Sequence, residues 1–353
     1  MTEPAPVLPD GVPRGTLHVL TPTYRPAGGV VKLMDYARHA RAMGLAVQVW
    51  SPQAHDPDGP LFAIERLRDL VEGDHPTGPV RFHSRQRLAM GPDDLALISL
   101  PDNYEVALRS LPAGGSPHRV VHLVQNTRHT NPTWRAGYPT RLLTRPASRI
   151  CVNRIVADEI EPWVDPRALL AVNNIGHDTA YFRRDRSPGL RERPGPVRVA
   201  YTTWKSAVGD RVAERLADDD RFELVALRET ASWAELRELY HHADVFLSTP
   251  EPQEGMYLPG LEAMAAGCVV LTPDVGGNMA YCRPGDNCVL VAYDDPGGYV
   301  AALERLVDAP AAEVDALRAS GWATLPHFDL AAEAEGLAGL LGQVWSRVRT
   351  AEA

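Results

Sequence analysis

Lysine is almost missing from this chain: of its 36 basic residues, all but Lys32 and Lys205 are arginine. A GC-rich genome pushes composition that way, so the two lysines are chance survivors or positions of consequence. Cysteine is scarce as well. Cys151, Cys268, Cys282 and Cys288 form no CxxC pair, which argues against a zinc site or a disulfide framework and fits a reducing cytoplasm. Long apolar runs are lacking. Cys268–Leu271 is among the longest, and nothing approaches the ~20 residues that cross a bilayer. Met1–Gly15 is rich in Pro and Gly without an apolar centre, unlike a secretory signal. There is no excess of positive charge. The net charge is −9, which excludes a general nucleic-acid binder. No GxGxxG follows a strand, so no nicotinamide cofactor is expected. No His, Cys and acidic residues share metal-ligand spacing, so no metal is expected.

What is present is a chain of 353 residues, 44% hydrophobic and 23% charged, enough for about two to three units. Strand and helix patterns alternate. Thr16–Thr21 reads as a buried strand; Gly28-Gly29 follows, then a helix from Val30 to Met43. Further strands are expected at 45–50, 80–83, 95–100, 119–125 and 150–152. A stretch rich in Pro, Arg and Gly at 183–196 reads as a linker. The alternation then resumes, with strands at 197–201, 222–227, 244–248, 268–271 and 287–291 and helices at 208–216, 233–242 and 259–266. Leu330–Val348 is an amphipathic helix. These patterns predict an α/β protein with two Rossmann-like parallel-sheet domains, 1–183 and 184–328. The terminal helix, 329–353, is expected to pack back on the first. Two such domains would face each other across a ligand cleft.

The densest chemistry lies between Glu251 and Gly277. Glu254 falls in a loop after a strand, and Glu262 is placed in the first turn of the helix that Pro259 opens. Such a pair can face one crevice, with helix N–H groups between them. The plainer alternative is a surface charge at Glu254 and a helix-dipole partner at Glu262.

The run Glu254-Gly255-Met256-Tyr257-Leu258-Pro259-Gly260-Leu261-Glu262-Ala263-Met264-Ala265-Ala266-Gly267 resembles the pattern E-G-φ-x-L-P-x-L-E-A-M-A-x-G of glycosyltransferase family 4, retaining sugar-nucleotide transferases of the GT-B fold. Leu236–Val245 is similar to the family's preceding helix and strand. Val172–Phe182 resembles its V-I-P-N-G-V-D-T-x-x-F, with Ile175 where the family has Asn. The resemblance implies that Glu254 contacts the donor sugar and Glu262 the nucleotide ribose. Gly255, Met256, Tyr257 and Leu258 would line the donor site. Lys205 would hold the diphosphate, helped by Thr203; the arginine that usually accompanies it is replaced by Thr202 or Thr203, with Arg211 a substitute or a solvated helix residue. Gly276, Gly277 and Asn278 would lie near the donor, and Gly28 and Gly29 would let the chain approach the diphosphate. The chemistry implied uses no cofactor and no metal. It takes a nucleotide-diphosphate sugar as co-substrate and proceeds at the front face, not through a glycosidase-type carboxylate pair.

The family often has a histidine after the strand at 119–125; here Gln125, Asn126 or His129 would touch sugar or acceptor, while His122 reads as structural. Lys32 could reach a phosphate or be a solvated helix charge. From Val106 to Ala157 there is no acid and there are eight arginines, either a basic face for an anionic acceptor or membrane surface, or arginines paired with acids elsewhere. The reading is a cytoplasmic retaining glycosyltransferase, peripheral at the inner membrane face if that basic surface is real. The acceptor would be a natural product, a cell-envelope glycan or a lipid. The rivals are a sugar-nucleotide 2-epimerase of the same fold and a non-catalytic sugar-nucleotide-binding protein.

Overall fold

The computed structural model describes residues 6–73, 75–84, 87–184, 190, 195–229 and 231–353. The stretch expected as a linker lies mostly outside these residues. The chain forms two compact units, Met1–Ile175 with Leu330–Ala353, and Gly176–Asp329. The division expected after residue 183 thus falls after Ile175, and the terminal helix Leu330–Glu352 is part of the first unit.

The first unit carries strands β1 (Thr16–Leu20), β2 (Ala46–Ser51), β3 (Arg81–Ser84), β4 (Leu95–Ile98), β5 (Val120–Val124), β6 (Ser148–Cys151) and β7 (Leu169–Val172). They form one sheet in the order β3-β2-β1-β4-β5-β6-β7, with every pair parallel. The second unit carries β8 (Val197–Thr202), β9 (Phe222–Leu227), β10 (Val245–Leu247), β11 (Val269–Pro273) and β12 (Val289–Val291). Their order is β12-β11-β10-β8-β9, again all parallel. Central strands β4, β5, β6, β10 and β11 are buried at every residue, because helices cover both faces of a parallel sheet. The sequence pattern had no strand at β7, a four-residue element of intermediate burial at the sheet edge. It also had no helix at Pro296–Asp308 or Ala311–Thr324.

Chain order reverses between β1 and β4 in the first sheet and between β8 and β10 in the second. At such a point the loops leaving two adjacent strands diverge to opposite faces and open a crevice at the strand C-termini.

Lys32 is neither a free cation nor a solvated one. It is 2% exposed and lies 3.0 Å from both Asp35 and Glu333. Arg66 closes on Asp35 at 2.9 Å and His39 on Glu333 at 2.9 Å. Burial pushes the Asp35 carboxyl up, but Lys32 and Arg66 outweigh it and hold it below the usual carboxylate range. Asn173 donates to the Glu333 carbonyl and to the Tyr36 hydroxyl. The network ties the terminal helix to the helix Gly28–Ala42 within the first unit.

The arginine-rich stretch is not a continuous basic face. Arg119 and Arg149 are buried. Arg119 pairs with Glu352 at 2.7 Å, and Arg149 donates to the carbonyls of Leu142, Leu143 and Arg145. Arg135 pairs with Asp102, Arg145 with Glu105 and Arg154 with Asp158. For four of the eight arginines the fold supplies an acid from outside the stretch. Among the described residues no helix is long and apolar enough to cross a membrane.

Candidate active site

The second unit brings the motif residues together. Lys205 lies in the loop after β8, and Glu254 in the loop after β10. These are the two strands that flank the switch point. Lys205 Nζ sits 2.8 Å from Glu254 Oε1 and 3.7 Å from Glu251 Oε2. Lys205 keeps 30% of its side chain exposed and Glu254 14%, so the pair borders solvent.

The loop carrying Glu254 is held from several sides. Thr202, at the end of β8, shares a 3.2 Å hydrogen bond with the Tyr257 hydroxyl, and Tyr281 donates to the Tyr257 carbonyl at 2.6 Å. Burial pushes the Tyr257 phenol up to about 12, so it stays protonated across the working range. Gly277 is required by close approach: a Cβ there would fall 2.2 Å from the Gly255 carbonyl oxygen and 2.3 Å from that of Glu254. Asn278 is fully buried and braces the same turn through Thr272 and the Pro273 carbonyl. Thr203 donates to the Arg228 carbonyl. Arg211 is paired with Asp294.

Glu262 departs from expectation. The helix runs Leu258–Ala265, so Glu262 is its fifth residue and sits in the second turn, beyond the free N–H groups. Its carboxylate is buried and engaged. His177 Nε2 lies 2.8 Å from Oε1, and the Tyr240 hydroxyl donates to Oε2 at 2.9 Å. Met256 and Tyr257 are buried beside it in the chain, while Leu258 opens the helix. The sequence reading missed His177 and Tyr240. The signal for His177 was a histidine where the family pattern is aliphatic.

In the first unit the helix Gly28–Ala42 opens at the glycine pair. A Cβ at Gly28 would meet nothing within 4 Å, whereas one at Gly29 would press on Gln125. Gln125 donates to the Gly29 carbonyl at 3.0 Å, and Asn126 caps the turn Thr127–Thr130 through the Arg128 N–H. His129 is 1% exposed, packed between His122 and Trp134. Burial, then Arg149 and Arg135, lower its pKa to about 3, and burial lowers His122 in the same direction. A histidine held neutral in the fold stabilises fully above its unfolded pKa of ~6.5, and that stability drains as pH falls toward the folded value. His129 alone should therefore cost about 2 kcal/mol by about pH 5. Thermal unfolding at stepped pH checks this: His129→Phe should flatten the acid limb of the profile, and an unchanged limb would place the titration elsewhere.

Among the described residues no group of three or more His, Cys, Asp or Glu could hold a metal ion.

Solved structures share this architecture. Anabaena HepE in complex with UDP and glucose superposes with a TM-score of 0.68 at 14% identity, over 92% of this chain and 99% of that one. Sucrose-phosphate synthase from Thermosynechococcus elongatus gives 0.69 at 15%, over 94% of this chain and 100% of that one. The fold is GT-B. Residues 203–309 match the family model for glycosyl transferases group 1. A D-inositol 3-phosphate glycosyltransferase of Streptomyces bingchenggensis is 28% identical over 245 residues, 67% of this chain and 50% of that protein. A second protein of that description, from Catenulispora acidiphila, is 34% identical over 100 residues, 28% of this chain and 22% of its own. The chain thus aligns with half or less of the length of these relatives.

Proposed function

We propose that the protein is a glycosyltransferase that moves a sugar from a nucleoside diphosphate to an acceptor hydroxyl with retention, its donor held by the second unit. The observation that carries this reading is the meeting of Lys205 and Glu254 at 2.8 Å from the two strands beside the switch point. An open α/β sheet offers its ligand crevice there, and the match over 203–309 covers both residues.

As the glycosidic bond to phosphate breaks, negative charge builds on the leaving diphosphate and positive charge on the sugar. Lys205 is a partly exposed ammonium on a braced loop. An entering diphosphate would draw it from Glu254, leaving that carboxylate for the sugar. A preset donor of this kind contributes about 3 kcal/mol at the transition state. Glu262 would accept from the ribose hydroxyls. Retention follows the resemblance, the leaving phosphate helping to deprotonate the acceptor, with no metal in the step.

Thermal unfolding with UDP, GDP, ADP and dTDP in the presence of EDTA tests the reading. A nucleotide at about a hundred times its Kd should add ~2.7 kcal/mol of stability. UDP is the first to try, since HepE binds it. No response to any of the four would overturn the proposal.

A further inference from the structure

We propose that His177 is a positioning residue of the donor site, holding Glu262 in the orientation that receives the nucleotide's ribose. The inference rests on the donor-site reading above. His177 is 3% exposed, and its Nε2 meets Glu262 Oε1 at 2.8 Å. A carboxylate only accepts, so Nε2 carries the proton. The ring cannot swing freely. It lies nearly parallel to Phe182 at 5.7 Å and beside Trp233 at 5.2 Å. Its backbone N–H donates to the Phe328 carbonyl at 2.8 Å.

Tyr240, fully buried, donates to the other oxygen of Glu262. One donor on each oxygen fixes the plane of a terminal torsion that is otherwise broad and two-fold. A carboxylate has about four acceptor positions. With two occupied, one remains on each oxygen, enough for the vicinal hydroxyls of a ribose. An aliphatic residue at 177 would remove the partner on Oε1 and leave Glu262 freer to turn about its bond from Tyr240.

The test uses the full chain, calorimetry with the nucleoside diphosphate that protects wild type, and steady-state kinetics with its sugar. His177→Leu should raise both the nucleotide Kd and the donor KM about ten-fold, with kcat within about two-fold. His177→Gln, which restores an N–H donor at similar reach, should recover most of the loss. In a Glu262→Gln background the His177→Leu change should matter less than about two-fold, because the group it acts through is already altered. Should His177→Leu not fold, His177→Asn takes its place, its amide being too short to reach Glu262. Additive losses in the cycle, or a fall in kcat at unchanged KM, would overturn the positioning role while leaving the donor site intact. Failure of wild type to bind any nucleoside diphosphate would overturn the donor-site reading itself.

Discussion

Lys205→Ala should lower kcat for glycosyl transfer about 100-fold while weakening nucleotide binding only about ten-fold. The asymmetry comes from when the charge is needed. In the ground state the diphosphate is already solvated and the ammonium adds a screened contact. As the bond to the sugar breaks, a further charge develops on the leaving oxygen, and a preset cation there contributes about 3 kcal/mol, or some two decades in rate. The variant also leaves Glu254, 14% exposed, without its 2.8 Å partner, so a carboxylate faces the diphosphate. That repulsion is the source of the binding loss. The double variant Lys205→Met/Glu254→Gln separates the effects: it should bind nucleotide better than Lys205→Ala yet turn over no faster. Turnover of Lys205→Ala within about three-fold of wild type would mean that the lysine is a surface charge paired with Glu254 and nothing more.

How far the sequence foretold this site depended on how local each cause is. The helix Trp233–His242 has the bounds expected, and in the structure Ser232 and Glu235 fix its start as a reciprocal capping box. The helix Pro296–Asp308 carried an equally local signal, Asp295 capping before Pro296, which periodicity alone passes over. β7 had none, being four partly buried residues that become a strand because β6 lies alongside.

The site residues divide in the same way. Lys205 and Glu254 stood out by rarity and motif, and the switch point supplies the reason they meet. Glu262 was legible as a motif residue, but the helix begins one residue earlier than expected, at Leu258, which carries Glu262 past the first turn. Its partner His177 is 85 residues away, a distance over which no periodicity speaks. Lys32 is the plainest case. Rarity marked it correctly as unusual, but its partner Glu333 lies 301 positions along the chain, so its role is structural for a reason no local pattern contains.

That network sets the second large effect. Glu333→Ala should destabilise the first unit by about 3–5 kcal/mol, the cost of leaving a buried charge without its partner. The alternative outcome, a small loss, would follow if solvent reached the gap, but Lys32 and Glu333 are 2% and 0% exposed. With the carboxylate gone, Lys32 loses its 3.0 Å contact to Glu333, and Asp35, the acid beside it, also serves Arg66. For a unit of this size each kcal/mol moves the melting temperature by about 2–4 °C, giving a fall of roughly 10 °C. Apolar replacement of both partners, Lys32→Met/Glu333→Leu, should cost much less than Glu333→Ala, since the attraction within a buried pair only offsets its own desolvation. His39 then loses its 2.9 Å contact with Glu333. Thermal unfolding of the three variants side by side is the measurement. If Glu333→Ala melts within about 2 °C of wild type, the cluster does not clamp the terminal helix, and the docking of that helix rests on its apolar face, through Leu337, Leu341, Val344 and Val348.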